Sequence, residues 1–126
     1  EETGLIMGLG ELVLNNAYGV RVTGTAAANL ANPVRFQSGG PILRPEAQAL
    51  TLSGVLDWQS GVPIAYKWGT NELVLAGTGG GASGTPRLYV RQGGVRFASG
   101  ADYVLPGSTR ESLKLGLQAS MPTSLT

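Results

Sequence analysis

A cluster of arginines with one tyrosine is the most distinctive polar set in the sequence. Residues 87–99 alternate apolar and polar side chains on either side of Gly93-Gly94, which is a common two-residue turn of β-hairpins. Pairing the two runs across that turn places Arg91 directly opposite Arg96. Opposed guanidinium groups repel each other, so we expect a compensating anion: an internal carboxylate, one on a neighbouring subunit, or a ligand phosphate or acidic sugar. The predicted partner-binding residues of this hairpin face are Arg87, Tyr89, Arg91 and Arg96. The other face carries Leu88, Val90 and Phe97.

Residues suited to catalysis are few. The chain has no His and no Cys, which excludes a histidine-assisted serine nucleophile and thiolate chemistry and leaves no typical transition-metal ligand. Asp57 and Glu72 are the acids best placed for a two-carboxylate mechanism, yet alternation puts Asp57 on the face opposite Trp58. Residues 79–84 match G-x-G-x-x-G, but a strand rather than a helix follows, so no nucleotide site is expected. We predict no catalytic residues, no cofactor and no bound metal.

The two tryptophans lie within residues 49–77, the segment whose alternation specifies a strand register most completely. Residues 49–77 divide into three alternating runs, which predicts a three-stranded antiparallel meander. The register that joins their apolar faces pairs Trp58 with Ile64, Leu56 with Tyr66, Gly54 with Trp68, Trp68 with Leu73, and Tyr66 with Leu75. It buries both tryptophans in the centre of the core. The alternative is that Trp58 and Trp68 form an exposed aromatic platform for sugars.

The N-terminal segment is apolar and carries no charge between residues 3 and 10. An exposed strand of that kind promotes aggregation, so it is expected to be covered. It is either the first strand of the core or an arm that completes a neighbouring subunit by strand addition. On the second interpretation it binds a partner. The partner-binding residues predicted in this segment are Leu5, Ile6, Met7 and Leu9.

Turn residues divide the remaining chain into short pieces. Residues 11–14, 20–25, 34–36, 102–105 and 112–119 are predicted strands, and residues 26–32 a single helical turn that ends at Pro33. Residues 37–46 are predicted to form a long loop and residues 77–86 a mobile glycine-rich connection. Residues 120–126 are expected to fray. Only the segments before Leu50 and before Leu113 look alike, and no repeat extends from them.

The composition of the chain disfavours nucleic-acid binding and favours contacts with other protein. Net charge is +1, with nine basic and eight acidic residues, so no nucleic-acid partner is predicted. Charged residues make up 13% of the chain, about half the usual share, which favours a surface that other protein covers. No apolar run approaches the roughly 20 residues of a membrane-spanning helix.

Together these observations predict one all-β domain over residues 1–126, an antiparallel β-sandwich of jelly-roll type, with a small β-barrel as the alternative. The predicted function is non-enzymatic. We expect a subunit of a repeating assembly that contacts copies of itself or other structural subunits through strands and loops. That assembly is a virion (capsid, cement or decoration protein) or an extracellular or cell-surface filament. The alternative is a carbohydrate-binding module with a glycan partner.

Overall fold

The chain folds into a parallel β-solenoid. The structure, a computed structural model, describes residues 10–15, 19–58, 64–82, 87–98, 113–115 and 123–125. In the described residues, successive strands enter three sheets in turn, and every strand pair in the three sheets is parallel. About three turns are complete. The three sheets are called A, B and C.

The strands are short. Their bounds are β1 Leu12–Asn15, β2 Gly19–Val22, β3 Ala28–Leu30, β4 Val34–Ser38, β5 Ile42–Pro45, β6 Leu50–Leu52, β7 Leu56–Trp58, β8 Ile64–Lys67, β9 Leu73–Leu75, β10 Gly79–Ala82, β11 Arg87–Val90, β12 Gly93–Phe97, β13 Leu113–Leu115 and β14 Thr123–Leu125. Three to five residues span one side of a coil, and a corner then turns the chain into the next sheet. Sheet A has the order β1-β4-β7-β10, sheet B the order β13-β11-β8-β5-β2, and sheet C the order β14-β12-β9-β6-β3.

Like residues stack from coil to coil. Leu12 pairs with Val34, and Val34 pairs with Leu56, each step spanning 22 residues. In sheet C the corresponding step from Leu50 to Leu73 spans 23 residues. Because a parallel register places equivalent residues directly above one another, the inward side chains form continuous apolar columns.

The core fills the interior of the solenoid. Its buried members from the three sheets are Leu14, Val22, Leu30, Val34, Phe36, Leu43, Leu50, Leu52, Leu56, Trp58, Ala65, Leu73, Leu75, Leu88, Val90 and Val95. Phe36 and Trp58 are neighbours in one column, with ring centroids 4.1 Å apart and planes 22° from parallel. This stacked pair anchors the sheet A side of the interior.

The antiparallel architecture predicted from the sequence is wrong. The all-β part of that prediction is confirmed, but the three parallel sheets of the solenoid exclude the antiparallel sandwich of jelly-roll type and the alternative, a small β-barrel. Strands β7, β8 and β9 of the predicted meander lie in three different sheets, so none of its cross-strand pairs exists. Alternation of apolar residues is the same in both architectures, because it reports which face is buried and not which strand is the neighbour.

The predicted hairpin is also wrong. Strand β11 belongs to sheet B and β12 to sheet C, so Gly93-Gly94 begins β12 directly after the corner between these two sheets. Gly93 has a φ of 71°, and a Cβ there would lie 2.5 Å from the carbonyl oxygen of Gly69. The corner thus requires glycine for both its backbone conformation and its close approach to the preceding coil.

Three predicted irregular segments contain strands. Strand β3 replaces the helical turn expected in residues 26–32, β5 lies within the long loop expected in residues 37–46, and β10 lies within the mobile connection expected in residues 77–86. Each belongs to a parallel ladder with a neighbouring coil, which stabilises an extended backbone that local composition disfavours. The strand predicted for residues 34–36 is confirmed as part of β4.

The C-terminal part of the chain contributes two more short strands. Strand β13 falls within the strand predicted for residues 112–119, and β14 falls within the segment expected to fray. They pair in parallel with β11 and β12, respectively. Across the described ranges, no helix has the length and apolar character needed to span a membrane.

Candidate interaction surface on the outer face of sheet B

The outer face of sheet B carries a surface unlike the other two. Lys67 points inward and pairs with Leu43 in the preceding coil and with Val90 in the next. Trp68 follows Lys67 and therefore points outward, between the residues that follow Leu43 and Val90. One outward column is thus Arg21, Arg44, Trp68 and Arg91, and the column beside it contains Ile42, Tyr66 and Tyr89. We call these two columns the arginine–aromatic face.

Ring contacts hold the centre of this face in place. Tyr66 and Tyr89 meet edge to face, with centroids 5.6 Å apart and planes at 80°. The guanidinium carbon of Arg91 lies 5.3 Å from the Tyr66 ring centroid, within cation–π range. Gly40 packs against the same ring, since a Cβ on Gly40 would lie 2.6 Å from Tyr66 Cε2. Tyr66 therefore has its ring largely occupied by its own chain, whereas Trp68 beside it is only half-buried.

A shallow groove of about 500 Å³ opens on this face. Aromatic and aliphatic side chains form its walls, Arg91 supplies a positive charge, and two glycines leave one side free of side chains. Its lining residues are Gly39, Gly40, Ile42, Tyr66, Trp68 and Arg91. Tryptophan, tyrosine and arginine are the residue types that contribute most to binding energy in protein interfaces.

The charges on this face are unbalanced. Glu46 forms ion pairs with two arginines: its Oε2 lies 2.7 Å from Arg21 NH2, and its Oε1 lies 3.6 Å from Arg44 Nε. Arg91 has no carboxylate within ion-pair distance among the residues that the structure describes. Its Nε is buried and has no hydrogen-bond acceptor there. The face is therefore basic around an aromatic groove.

Arg96 does not belong to this surface. It lies in β12 of sheet C, and its Nε is 3.1 Å from Glu72 Oε2. The predicted opposition of Arg91 and Arg96 is wrong, because the two residues are in different sheets. Arg96 forms an ion pair with Glu72, which lies in the preceding coil, whereas the guanidinium of Arg91 lies over the Tyr66 ring.

The other predicted site residues fall into two groups: three lie on sheet B, and four lie outside the described residues. Arg87, Tyr89 and Arg91 lie together on the outer side of sheet B, with Leu88 and Val90 buried between them. Whether they bind a partner stays a prediction. The residues predicted to form an N-terminal contact, Leu5, Ile6, Met7 and Leu9, lie outside the described residues.

The two tryptophans lie on different sides of the solenoid. Trp58 is 1% exposed, as predicted, while Trp68 is half-buried on the outer face, so the prediction that both are buried is wrong for Trp68. They form no joint platform, because one lies inside sheet A and the other outside sheet B. Burial of Trp68 was the favoured prediction because the meander register places it over Gly54.

Sequence reasoning also missed Lys67, which lies under the arginine–aromatic face. Its side chain is 0% exposed, and its ammonium group donates to three backbone carbonyl oxygens, those of Gly69 (2.5 Å), Asn71 (2.6 Å) and Gln92 (2.7 Å). All three donors are thereby used, which makes the buried charge tolerable. Burial lowers the pKa of Lys67 from 10.5 to about 8, because the charged form loses its hydration. This lysine joins two consecutive corners between sheets B and C.

The outer face of sheet A presents a different pattern. Arg35 NH2 lies 2.9 Å from Glu11 Oε2, and Arg35 Nε lies 3.7 Å from Asp57 Oδ2, so two carboxylates share one guanidinium. Val13 and Val55 alternate with the buried residues of this sheet in the same sense as Asp57. They remain 43% and 40% exposed. Asp57 and Glu72, the two acids considered for catalysis, each have an arginine partner and belong to different sides of the solenoid.

Among the residues that the structure describes, no three acids cluster in a way that would hold a metal ion. Comparison with known proteins gives no relative: no family model, no curated protein and no solved structure matches this chain. Function must therefore be argued from the surface itself.

Proposed function

We propose that this protein is a non-enzymatic structural subunit of a repeating assembly on a virion or at the cell surface, where it binds other copies of itself. The observation that carries the proposal is the arginine–aromatic face: a half-buried Trp68, the Tyr66–Arg91 contact and a groove beside them, all on a regular sheet. These residue types favour protein contacts, because they bury large areas at little cost in side-chain entropy.

The solenoid supports this role in a second way. Each coil contacts its neighbours in the stack, so the sheets form flat, rigid sides built from short strands. A rigid side presents its contact residues without reordering, and binding then requires little conformational entropy. A filament subunit gains most from such a side, because the same contact is repeated many times.

A glycan-binding module is the second candidate, and Trp68 is the observation that favours it. An outward indole beside an arginine is able to stack on a sugar ring and pair with an acidic substituent. Against it, the Tyr66 ring is already contacted by Arg91 and Gly40, so this ring offers little surface for stacking on a sugar.

Light scattering over a concentration series tests the proposal, with tryptophan emission recorded on the same samples. We expect mass to rise with concentration, and the Trp68 part of the emission to shift to shorter wavelength as particles form. Trp68→Phe, which removes that part of the emission and keeps an aromatic ring, is the matched control for the assignment. A strict monomer at all concentrations would contradict the proposal. If the emission of that monomer responded to an oligosaccharide, the glycan candidate would replace it.

A further inference from the structure

Among the described residues, the outer faces of sheets A and B have opposite charge excess. On sheet B, the outward residues Arg21, Arg44 and Arg91 outnumber the one described acid, Glu46. On sheet A, the described acids Glu11 and Asp57 both pair with Arg35, the cation that the described part of this face carries. One chain thus carries a basic side and an acidic side, and both sides belong to the same rigid solenoid.

Apolar groups on the two faces complement each other as well. Val13 and Val55 are the large hydrophobic residues that the described chain leaves exposed, and both accompany the acidic side. The groove on the basic side has Trp68 and Ile42 in its walls and lacks side chains at Gly39 and Gly40. Seating a valine there removes apolar surface of both partners from water, which favours association.

We propose that the acidic face of sheet A in one copy docks on the arginine–aromatic face of sheet B in a second copy, with Val55 directed to the groove and Asp57 to Arg91. This inference rests on the proposed function, since it specifies which surfaces of the assembling subunit meet. It assigns Arg91 a carboxylate partner that the described part of its own chain does not supply.

The contact joins two different surfaces, so it is heterologous. Each docked copy still has one free face of each kind, and addition continues until a ring closes or a filament grows. An isologous contact between two identical faces would stop at a dimer. The two arrangements therefore differ in what happens when single faces are disabled.

The test uses two variants that each disable one face. Trp68→Ser with Arg91→Ser removes the indole and the guanidinium from the sheet B face, while Val55→Lys places a cation on the sheet A face, where it would meet the basic groove. Because the altered faces do not attract each other, only intact faces contribute to binding. Arg96→Ser is the matched control, since it removes an equally placed arginine from sheet C.

We expect wild-type and Arg96→Ser proteins to form large particles and each face variant alone to remain monomeric. An equimolar mixture of the two face variants should form 1:1 dimers and nothing larger, because each dimer retains only disabled faces. Circular dichroism and urea unfolding of each variant establish that it is folded. If the double serine variant does not fold, Arg91→Gln takes its place, with the same expected behaviour in the mixture.

The outcomes separate the two proposals. A monomeric mixture alongside an assembling wild type would overturn this inference and leave the proposed function standing. Assembly of either face variant alone would overturn it in the same way. A monomeric wild type would remove both, and emission changes on adding an acidic oligosaccharide would then assign the groove to a glycan.

Discussion

The two tryptophans show how differently the same local pattern is used on two sides of the solenoid. Trp58 and Trp68 each end or follow a short alternating strand, yet Trp58 stacks on Phe36 in the interior and Trp68 stands on the outer face beside Arg91. The difference comes from which parity faces inward on each side: Leu56 and Trp58 in sheet A, but Ala65 and Lys67 in sheet B. A buried lysine with three carbonyl acceptors is what allows the indole to point outward.

Truncating the two tryptophans provides the most direct comparison. Trp58→Ala should lower the free energy of unfolding by about 3–5 kcal/mol, because it leaves a cavity against Phe36. Urea unfolding measured by circular dichroism gives this value. Trp68→Ala is the control and should lose less than about 1 kcal/mol, as expected for a surface position. Equal losses for both would contradict the assignment of Trp58 to the core and Trp68 to the surface.

Replacing the buried Lys67 tests how much its three hydrogen bonds stabilise the fold. Lys67→Met keeps the length of the side chain but leaves three carbonyl oxygens without their donor, so we expect the free energy of unfolding to fall by about 3 kcal/mol. Lys67→Arg is a useful companion, since it keeps the charge while its planar group fits the three acceptors poorly. A fully stable methionine variant would show that the three hydrogen bonds contribute little.

The pH dependence of stability should report on the same group. The folded-state pKa of Lys67 is about 8 and its reference value is 10.5, so between these values the unfolded chain binds more protons. Stability therefore rises with pH across this window and is lowest below pH 8, by at most about 3 kcal/mol. Urea unfolding from pH 7 to 11 measures the slope. Other titrating groups cancel on subtracting the Lys67→Met curve, and identical slopes in the two proteins would refute the prediction.

The smallest effect concerns solvent access to the two indoles. In dilute monomeric protein, acrylamide should quench the emission of Trp68 and leave that of Trp58 almost unaffected, because Trp58 is 1% exposed. Trp68→Phe should remove the quenchable component, whereas the fold and the remaining emission should not change. Loss of quenchable emission in Trp58→Phe instead would reverse the assignment.

Some of the structure was predictable from local pattern. Burial of Leu88 and Val90 with Arg87, Tyr89 and Arg91 outside follows from period-two alternation, which holds in any sheet. The same alternation placed Trp58 inside. The 22- or 23-residue spacing that relates Leu30, Leu52 and Leu75 was also present in the sequence. It was missed because corners of different length and composition separate the strands.

The remaining features depend on long-range pairing. Gly93-Gly94 is equally compatible with a hairpin and with a corner, and only the neighbouring coil decides which forms. Lys67 reads as a solvent-facing charge in a local window, since the three carbonyls that hold it come from Gly69, Asn71 and Gln92, the last of them 25 residues away. The pairing of Arg96 with Glu72 likewise joins residues of successive coils.

The sequence by itself determined that the chain is all-β, where many of its strands lie, and which faces of several of them are buried, because each follows from the two-residue period of an extended backbone. The tertiary structure alone decided that the strands pair in parallel and that Trp68, Arg91 and Tyr66 share one outer face. Hydrogen bonds between strands join residues more than 20 positions apart, and nothing in a local pattern specifies which distant strand provides the partner.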